Sequence, residues 1–320
     1  MNIVYIIGNG FDIAQGLQTS YPDFYIYLQG RLMNLSLSNS ELSLLRRLMQ
    51  DINTNTTLWS DMEKGLGKFT DQTTSPEAFE RLYLFLSDEL QEYLQMQNDK
   101  FSPSEVQKKK FITDLTSPQS YLKDLDKIRY DKYLLLYKNS SATSFINRSI
   151  ITFNYTKTIE KLAASNKIIH IHNILGNTII FGVDNEDQIS NIPFRENDNI
   201  KDFFIKGQAY SSIKTRNHID CKQLIDQANV IVLFGVSLGD TDKRWWKIIG
   251  ENLIKRRNLA IIQFLYKPTA INSRREYRIP RIERDQYKVI MQQMDINPTA
   301  YTDSVKERIF FIINSTAFCV

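Results

Sequence analysis

Short unbroken apolar runs recur along this chain, and each is typical of a strand buried on both faces of a parallel sheet. The first run, residues 3–7, is followed at once by a glycine turn. Further runs predict strands at residues 149–153, 168–171, 178–181, 230–234, 259–265 and 309–313. From residue 149 onward these runs alternate with helical patterns, which favours an α/β fold.

Helical patterns fill the interval between the first two strands. A helix is predicted to start at Ser20 or Thr19 with Pro22 in its first turn, and apolar spacings of three and four predict helices over residues 75–97 and 122–137. Residues 59–63 are predicted to lie in a shorter helix, in which Glu63 is a surface carboxylate by default and a residue that reaches the site in the alternative. Later helices are predicted near residues 158–164, 218–228, 242–255 and 281–294, and residues 184–199 form the most loop-like stretch.

These elements predict one α/β domain over residues 1–320, with a Rossmann-like, mostly parallel sheet. Its core comprises residues 1–19 and 145–320, and residues 20–144 form a large helical insertion after the first strand. Because polar residues of the insertion do not follow strands, the insertion is expected to gate the site or assemble a homo-oligomer rather than line the pocket.

Composition narrows the classes of protein that fit. The chain has 320 residues, of which 42% are apolar and 24% charged, and no run reaches the ~18 apolar residues of a membrane span. Met1 leads directly into the first strand, which predicts a cytoplasmic protein without a membrane partner. The two cysteines, Cys221 and Cys319, suit buried thiols better than a disulfide or zinc site.

Charge gives little support for a nucleic-acid partner, because the net charge is only +4 over the whole chain. Basic residues do gather in one late segment. A solvated face is the preferred interpretation of this cluster, and a landing place for an anionic partner is the alternative. The cluster consists of Arg274, Arg275, Arg278, Arg281 and Arg284.

Ligands of open α/β sheets bind outside the carboxyl ends of the strands, so polar residues directly after apolar runs are the candidates for function. Four segments qualify: residues 8–12, 152–156, 170–173 and 235–240. In the first, Gly8 and Gly10 allow a sharp turn and bring backbone N–H groups close to a phosphate. The dehydrogenase fingerprint fails, since Ile13 stands where its third glycine belongs.

The fourth segment contains G-x-S-x-G between a predicted strand and helix, the context of a hydrolase nucleophile. That fold places its histidine after the serine, whereas all three histidines here precede Ser237. We therefore interpret Ser237 as a hydroxyl donor to a phosphate or ribose, or as a plain turn cap.

His170 and His172 alternate along a predicted strand and so share a face, as two metal ligands can. No third ligand with matching spacing is present, and no metal is expected. A neutral imidazole is also a good general base at cytoplasmic pH, and that role needs no metal.

Together these segments and the 59–63 helix resemble the AbiH abortive-infection family of bacterial antiphage proteins, nearly end to end. That family is in turn similar, motif by motif, to the sirtuin-like domains. The resemblance implies a sirtuin-like core in which Gly8, Asn9 and Gly10 hold the diphosphate of NAD. It also implies that Asn154 orients the nicotinamide ribose and the attacking water, and that His172 is the base.

Other residues of the same motifs are predicted to contact the cofactor: Phe11, Asp12, Thr152, Tyr155, Gly235, Ser237 and Asp240. The sequence departs from the sirtuin-like pattern in two places, with Asn173 for the glycine after the histidine and Thr156 for the aspartate after Asn-Tyr. A deacetylase is disfavoured, because two distant cysteines cannot supply a four-cysteine zinc module.

The resulting prediction is an abortive-infection effector that binds NAD as substrate or ligand and hydrolyses it to nicotinamide and ADP-ribose. The alternative is a non-catalytic sensor of an ADP-ribose-like nucleotide. A nuclease toxin is a third interpretation and rests only on the arginine cluster. The partners expected are the nucleotide, a second copy of the chain and a phage trigger that the sequence does not name.

Overall fold

The computed structural model describes residues 1–32, 38–138, 145–163, 167–271, 274–297 and 303–319. Within these ranges six strands form one sheet, and every pair of neighbours is parallel. The strands are β1 (Asn2–Ile7), β2 (Asn147–Thr152), β3 (Lys167–His170), β4 (Val230–Phe234), β5 (Ala260–Leu265) and β6 (Ile309–Ile313). The predicted α/β class with a Rossmann-like sheet is confirmed.

The strand order is β3-β2-β1-β4-β5-β6. The chain therefore builds outward from β1 in one direction through β2 and β3, then returns to the other side of β1 with β4. This reversal is the topological switch point at which doubly wound sheets bind their ligands. The ends of β1, β2 and β4 are thus the part of the sheet where a site is expected.

All described elements between β1 and β2 are helical, as the spacing of apolar residues predicts. The main helices are α1 (Gly10–Ala14), α2 (Tyr21–Arg31), α3 (Asn39–Thr54), α4 (Met62–Phe69), α5 (Pro76–Lys100), α6 (Glu105–Thr116) and α7 (Asp124–Lys138). Ser20 caps α2 in a capping box with Asp23, and Ser75 caps α5. Residue 144, the predicted end of the insertion, lies outside the described residues, and the domain boundaries remain a prediction.

The second half carries shorter helices between the strands. These are α8 (Thr158–Leu162), α9 (Ile192–Arg195), α10 (Asp198–Phe204), α11 (Lys206–Ser212), α12 (Asn217–Gln227), α13 (Lys243–Lys255) and α14 (Ile279–Gln293). The predicted end of α8 at residue 164 lies outside the described residues. The stretch predicted as most loop-like, residues 184–199, is interrupted by α9 and the start of α10, each capped by an asparagine side chain, and the prediction is wrong for those two segments.

Residues 178–181 are not a strand, and this prediction is also wrong. Ile179 and Phe181 are buried against the insertion, whereas Ile180 joins the cluster on one face of the sheet. The Phe181 ring stacks on Tyr83 of α5 at 4.5 Å, and the Tyr83 hydroxyl donates to the Phe181 carbonyl at 2.9 Å. An apolar run packed in this way carries the same sequence pattern as a buried strand.

The core has three clusters of buried side chains. Alternate residues of β1 face opposite sides of the sheet, with Val4 and Ile6 in one cluster and Ile3, Tyr5 and Ile7 in another. The third cluster joins the helices α2 to α5 of the insertion to residues 175–205 that follow β3. The insertion therefore packs beside the carboxyl ends of the strands. None of the described helices is both long and apolar enough to cross a membrane.

Candidate functional site

A cavity of about 340 Å³ opens beyond the ends of β1, β2 and β4. This volume lies near the lower end of the range for small-molecule sites, and the position is the switch point of the sheet. Of the predicted site residues, those that line it are Gly8, Asn9, Gly10, Asp12, Asn154, Tyr155, His172, Gly235 and Ser237.

Three predicted cofactor contacts do not line this cavity. Phe11 is fully buried and packs edge-on against Phe234. Thr152 is also fully buried. Its hydroxyl donates to the Ile7 carbonyl and accepts the backbone N–H of Asn154 at 3.1 Å, which shapes the turn after β2. Asp240 lies in a neighbouring groove, where Lys64 binds it at 2.7 Å.

The glycine turn differs from its predicted form. The N–H groups of Gly8 and Gly10 donate at 3.0 Å to the carbonyls of Phe234 and Gly235, so they are not available to a phosphate. A Cβ on Gly10 would lie 2.7 Å from the Gly235 Cα, and Gly235 itself has a φ of +67°. These glycines are therefore required by the close contact between the turns after β1 and β4, whether or not a ligand binds.

Asp12, in the wall of the cavity, links the turn after β1 to the segment that follows β2. Its carboxylate accepts the hydroxyl of Thr156 at 2.5 Å and that of Thr158 at 2.7 Å. Burial raises the pKa of Asp12, and the two threonine hydrogen bonds oppose that rise. Thr156, which departs from the sirtuin-like pattern, is thus a partner of Asp12 rather than a replacement without a role.

Asn154 carries the clearest sign of a missing partner. Its side chain is 6% exposed, and among the described residues neither Oδ1 nor Nδ2 has a hydrogen-bond partner. The amide lies near enough to Asp12 to lower the pKa of that carboxyl, but not in hydrogen-bonding geometry with it. Because burying an unpaired amide costs free energy, a ligand or ordered water is needed here.

His172 belongs to a buried network that sequence reasoning missed. Its Nε2 lies 3.0 Å from Asp242 Oδ1, and its Nδ1 lies 3.0 Å from the Tyr210 hydroxyl. Asp242 is the residue that precedes α13, and Tyr210 lies on α11. Both ring nitrogens of His172 are therefore occupied before any ligand is bound.

Lys206 is the centre of this network. It is 1% exposed, and its ammonium donates to Glu63 at 2.8 Å, to Asp242 at 2.9 Å and to the Thr241 carbonyl at 3.1 Å. The other oxygen of Glu63 accepts the Gly182 N–H at 3.0 Å. An ammonium has three N–H groups, so Lys206 is saturated.

Burial and neighbouring charges together set the pKa values of the groups in this network. Burial raises the pKa of Glu63 to about 7, outweighing the nearby ammonium. Burial acts in the same direction on Asp242, but there Lys206 and His172 prevail and hold its pKa well below the usual range. Burial lowers the pKa of His172, with Lys206 acting in the same direction, so the imidazole is neutral at pH 7.

Glu63 is thus not the surface carboxylate expected from sequence. It lies on α4 of the insertion and lines the cavity, as do Tyr21, Asp61, Leu90 and Leu94 from the same insertion. The expectation that the insertion leaves the pocket to the core is therefore wrong, because the third core cluster brings α2, α4 and α5 against the ends of the strands.

The sequence matches one known family over the part of the chain that forms the cavity. Residues 4–264 match the family described as bacteriophage abortive infection AbiH. The chain belongs to the AbiH family. The match runs from β1 through β5 and includes every residue that lines the cavity. No curated protein matches the chain.

Membership of the AbiH family indicates a role in bacteriophage abortive infection. The description of the family specifies neither a ligand nor a reaction. Among the described residues, no group of three or more histidine, cysteine, aspartate or glutamate side chains could hold a metal ion.

The two alternating histidines of this AbiH chain have separate environments. β3 ends at His170, and His172 lies beyond it in a turn, so the same-face expectation fails. His170 bonds Glu160 through Nε2 at 2.5 Å and the Asn154 carbonyl through Nδ1 at 2.8 Å. It therefore supports the backbone of Asn154 from outside the cavity.

One signal in the sequence could have revealed Lys206. Ala209 and Tyr210 follow it at three- and four-residue spacing, which places the ammonium on the apolar face of α11. A lysine on such a face is buried, and a buried ammonium requires carboxylate partners. Glu63 and Asp242 supply them from distant parts of the chain.

Proposed function

We propose that this protein acts in abortive infection by binding NAD with its nicotinamide riboside end in the cavity and hydrolysing the N-glycosidic bond. The observation that carries the proposal is Asn154, a buried amide at the switch point of the sheet that has no hydrogen-bond partner among the described residues. An amide in that position offers both a donor and an acceptor to a ribose hydroxyl and a water molecule. The similarity of the motifs to sirtuin-like domains supports the same ligand.

The reaction converts NAD and water into nicotinamide, ADP-ribose and a proton. The bond from the ribose C1′ to the ring nitrogen breaks with both electrons passing to that nitrogen, and the water oxygen then bonds to C1′. The transition state resembles an oxocarbenium ion, which carboxylates stabilise. Asp12 and Asp61 in the cavity wall are placed to supply that field.

His172 accepts the proton of the water in this proposal. It lines the cavity and is neutral, as a base must be. Its hydrogen bond with Tyr210 has to open first, because both ring nitrogens are occupied. That occupation favours the second candidate function, a non-catalytic sensor in which the cavity binds the nucleotide and His172 is purely structural.

Incubation of the purified chain with NAD, followed by chromatography for free nicotinamide, separates the two functions. For the enzyme, Asn154→Ala lowers turnover by about 10²-fold or more while NAD affinity falls much less. His172→Ala has the same effect on turnover. Asn252→Ala is the matched control, since Asn252 is part-buried on α13, does not line the cavity and bonds Asp226.

The opposite result defines the sensor. If the wild type binds NAD or ADP-ribose by calorimetry and releases no nicotinamide, even in extracts of phage-infected cells, the hydrolase proposal is wrong. His170→Ala does not serve as a control, because His170 holds the Asn154 carbonyl.

A further inference from the structure

The charge of the cavity wall does not suit a phosphate. Among the described residues, the wall holds the carboxyl groups of Asp12, Asp61, Glu63 and Asp242 and a single ammonium, that of Lys206. Lys206 has no N–H left to donate, since Glu63, Asp242 and Thr241 accept all three. A diphosphate in this cavity would meet repulsion without a cationic partner.

The glycine turn does not compensate for this charge. The N–H groups of Gly8 and Gly10 already bond the turn after β4, and Phe11 N–H donates to the Gly8 carbonyl at 2.9 Å. The N–H groups of two of the three residues expected to hold a diphosphate, Gly8 and Gly10, are thus already bonded within the protein. The usual anion contacts of a Rossmann-like fold are therefore absent at these positions.

The same wall suits a flat cation. Phe153 and Trp246 stack on one another at 5.5 Å with an interplanar angle of 24°, and both line the cavity. Asp61 accepts hydrogen bonds from the backbone N–H of Lys64 and from the Thr241 hydroxyl. It forms no ion pair within the described part of the chain. Aromatic faces and an unpaired carboxylate both attract a delocalised positive charge.

We propose that the cavity is selective for a cationic N-ribosyl heterocycle, recognised by Asp61 and the aromatic wall, and that the phosphates of NAD remain outside it. The Asn154 side-chain amide, which has no hydrogen-bond partner in the described part of the chain, supports a ligand in this cavity independently of its charge. This inference rests on the proposed function and adds to it the charge that the cavity requires of its ligand and the groups that recognise that charge. It follows that nicotinamide riboside, which has no phosphate, is sufficient as a ligand.

Calorimetry with two ligands of the same shape tests the charge. Nicotinamide riboside carries a positive ring, and its 1,4-dihydro form is neutral. The full-length wild type is expected to bind the cation at least about tenfold more tightly, and ADP-ribose is expected not to displace it. Asp61→Asn removes one charge while asparagine still caps α4, so this preference should fall to about threefold or less.

Asp226→Asn is the matched control. Asp226 pairs with Lys222 and Asn252 away from the cavity, and its neutralisation should leave the preference unchanged. Equal binding of both ring forms, or tighter binding of ADP-ribose than of the riboside, overturns the inference even if NAD is cleaved. If the wild type neither binds nor cleaves NAD or the riboside, the proposed function itself fails.

Discussion

Replacement of Lys206 by methionine tests the buried network directly. Methionine keeps most of the side-chain volume but leaves Glu63 and Asp242 without the ammonium that lies within 2.9 Å of both. Removing one partner of a buried ion pair costs about 3–5 kcal/mol. For 320 residues the unfolding entropy is roughly 0.7 kcal/mol/K, so a loss of about 4 kcal/mol lowers Tm by roughly 6 °C.

The pH dependence of this loss has a definite sign. Without Lys206, the pKa of Glu63 rises further above its value in the unfolded chain, and the pKa of Asp242 rises from well below its unfolded value, because the ammonium no longer opposes burial. A carboxyl group with a raised pKa stabilises the fold at low pH and loses that contribution as pH rises through the folded value. In the wild type the lowered pKa of Asp242 already stabilises the fold at pH 5, so the Tm difference between wild type and Lys206→Met should be smaller at pH 5 than at pH 8.

Thermal unfolding followed by circular dichroism from pH 5 to pH 8 measures this difference. Lys64→Met is the matched control, since Lys64 and its partner Asp240 are 45% and 39% exposed and such pairs contribute ~1 kcal/mol or less. A Tm loss below about 2 °C for Lys206→Met at pH 8, or one that does not change with pH, would refute the reasoning.

Two further variants test the packing of the site. Gly10→Val is expected to lower Tm by several degrees, because its Cβ would lie 2.7 Å from the Gly235 Cα. Gly30→Ala should not lower it, since a Cβ at Gly30 would meet no described atom within 4 Å, and equal Tm values for the two variants would contradict the close contact. Burial holds the His172 pKa below 6.5, so below that pH the unfolded chain binds a proton more readily than the folded one. The free energy of unfolding therefore does not depend on His172 above pH 6.5 and declines as pH falls below it. In His172→Gln this decline should weaken in the same unfolding assay, and an unchanged slope would exclude His172 as its source.

The strands were predictable because their signal is local. The runs that form β4 and β6 are continuous, apolar and flanked by polar residues, and their predicted bounds match the structure. Residues 178–181 have the same apolar character, but Phe181 packs on Tyr83, more than ninety positions away in the sequence. Composition alone does not distinguish these two kinds of burial, since both remove the same apolar surface from water.

The site was predictable only where a motif follows a strand. Asn154 and His172 lie in such motifs and line the cavity as expected. Glu63 and Lys206 are 143 positions apart, and their pairing depends on how the insertion packs. For the glycine turn, the sequence correctly predicts a turn after β1 but not the partners of its N–H groups. Those partners are carbonyls at the end of β4 and in the turn that follows it, which are distant in the sequence.

The pairing of β1 has a consequence for the time at which the site can exist during translation. β1 bonds β2 in the register Asn2 to Asn147, and β4 in the register Ile3 to Val230. At about 5–20 residues per second, a ribosome needs roughly 10–45 seconds between making β1 and making β4. Until then the nascent chain has no complete cavity, so a prematurely terminated chain that lacks β4 can neither bind nor act through this site.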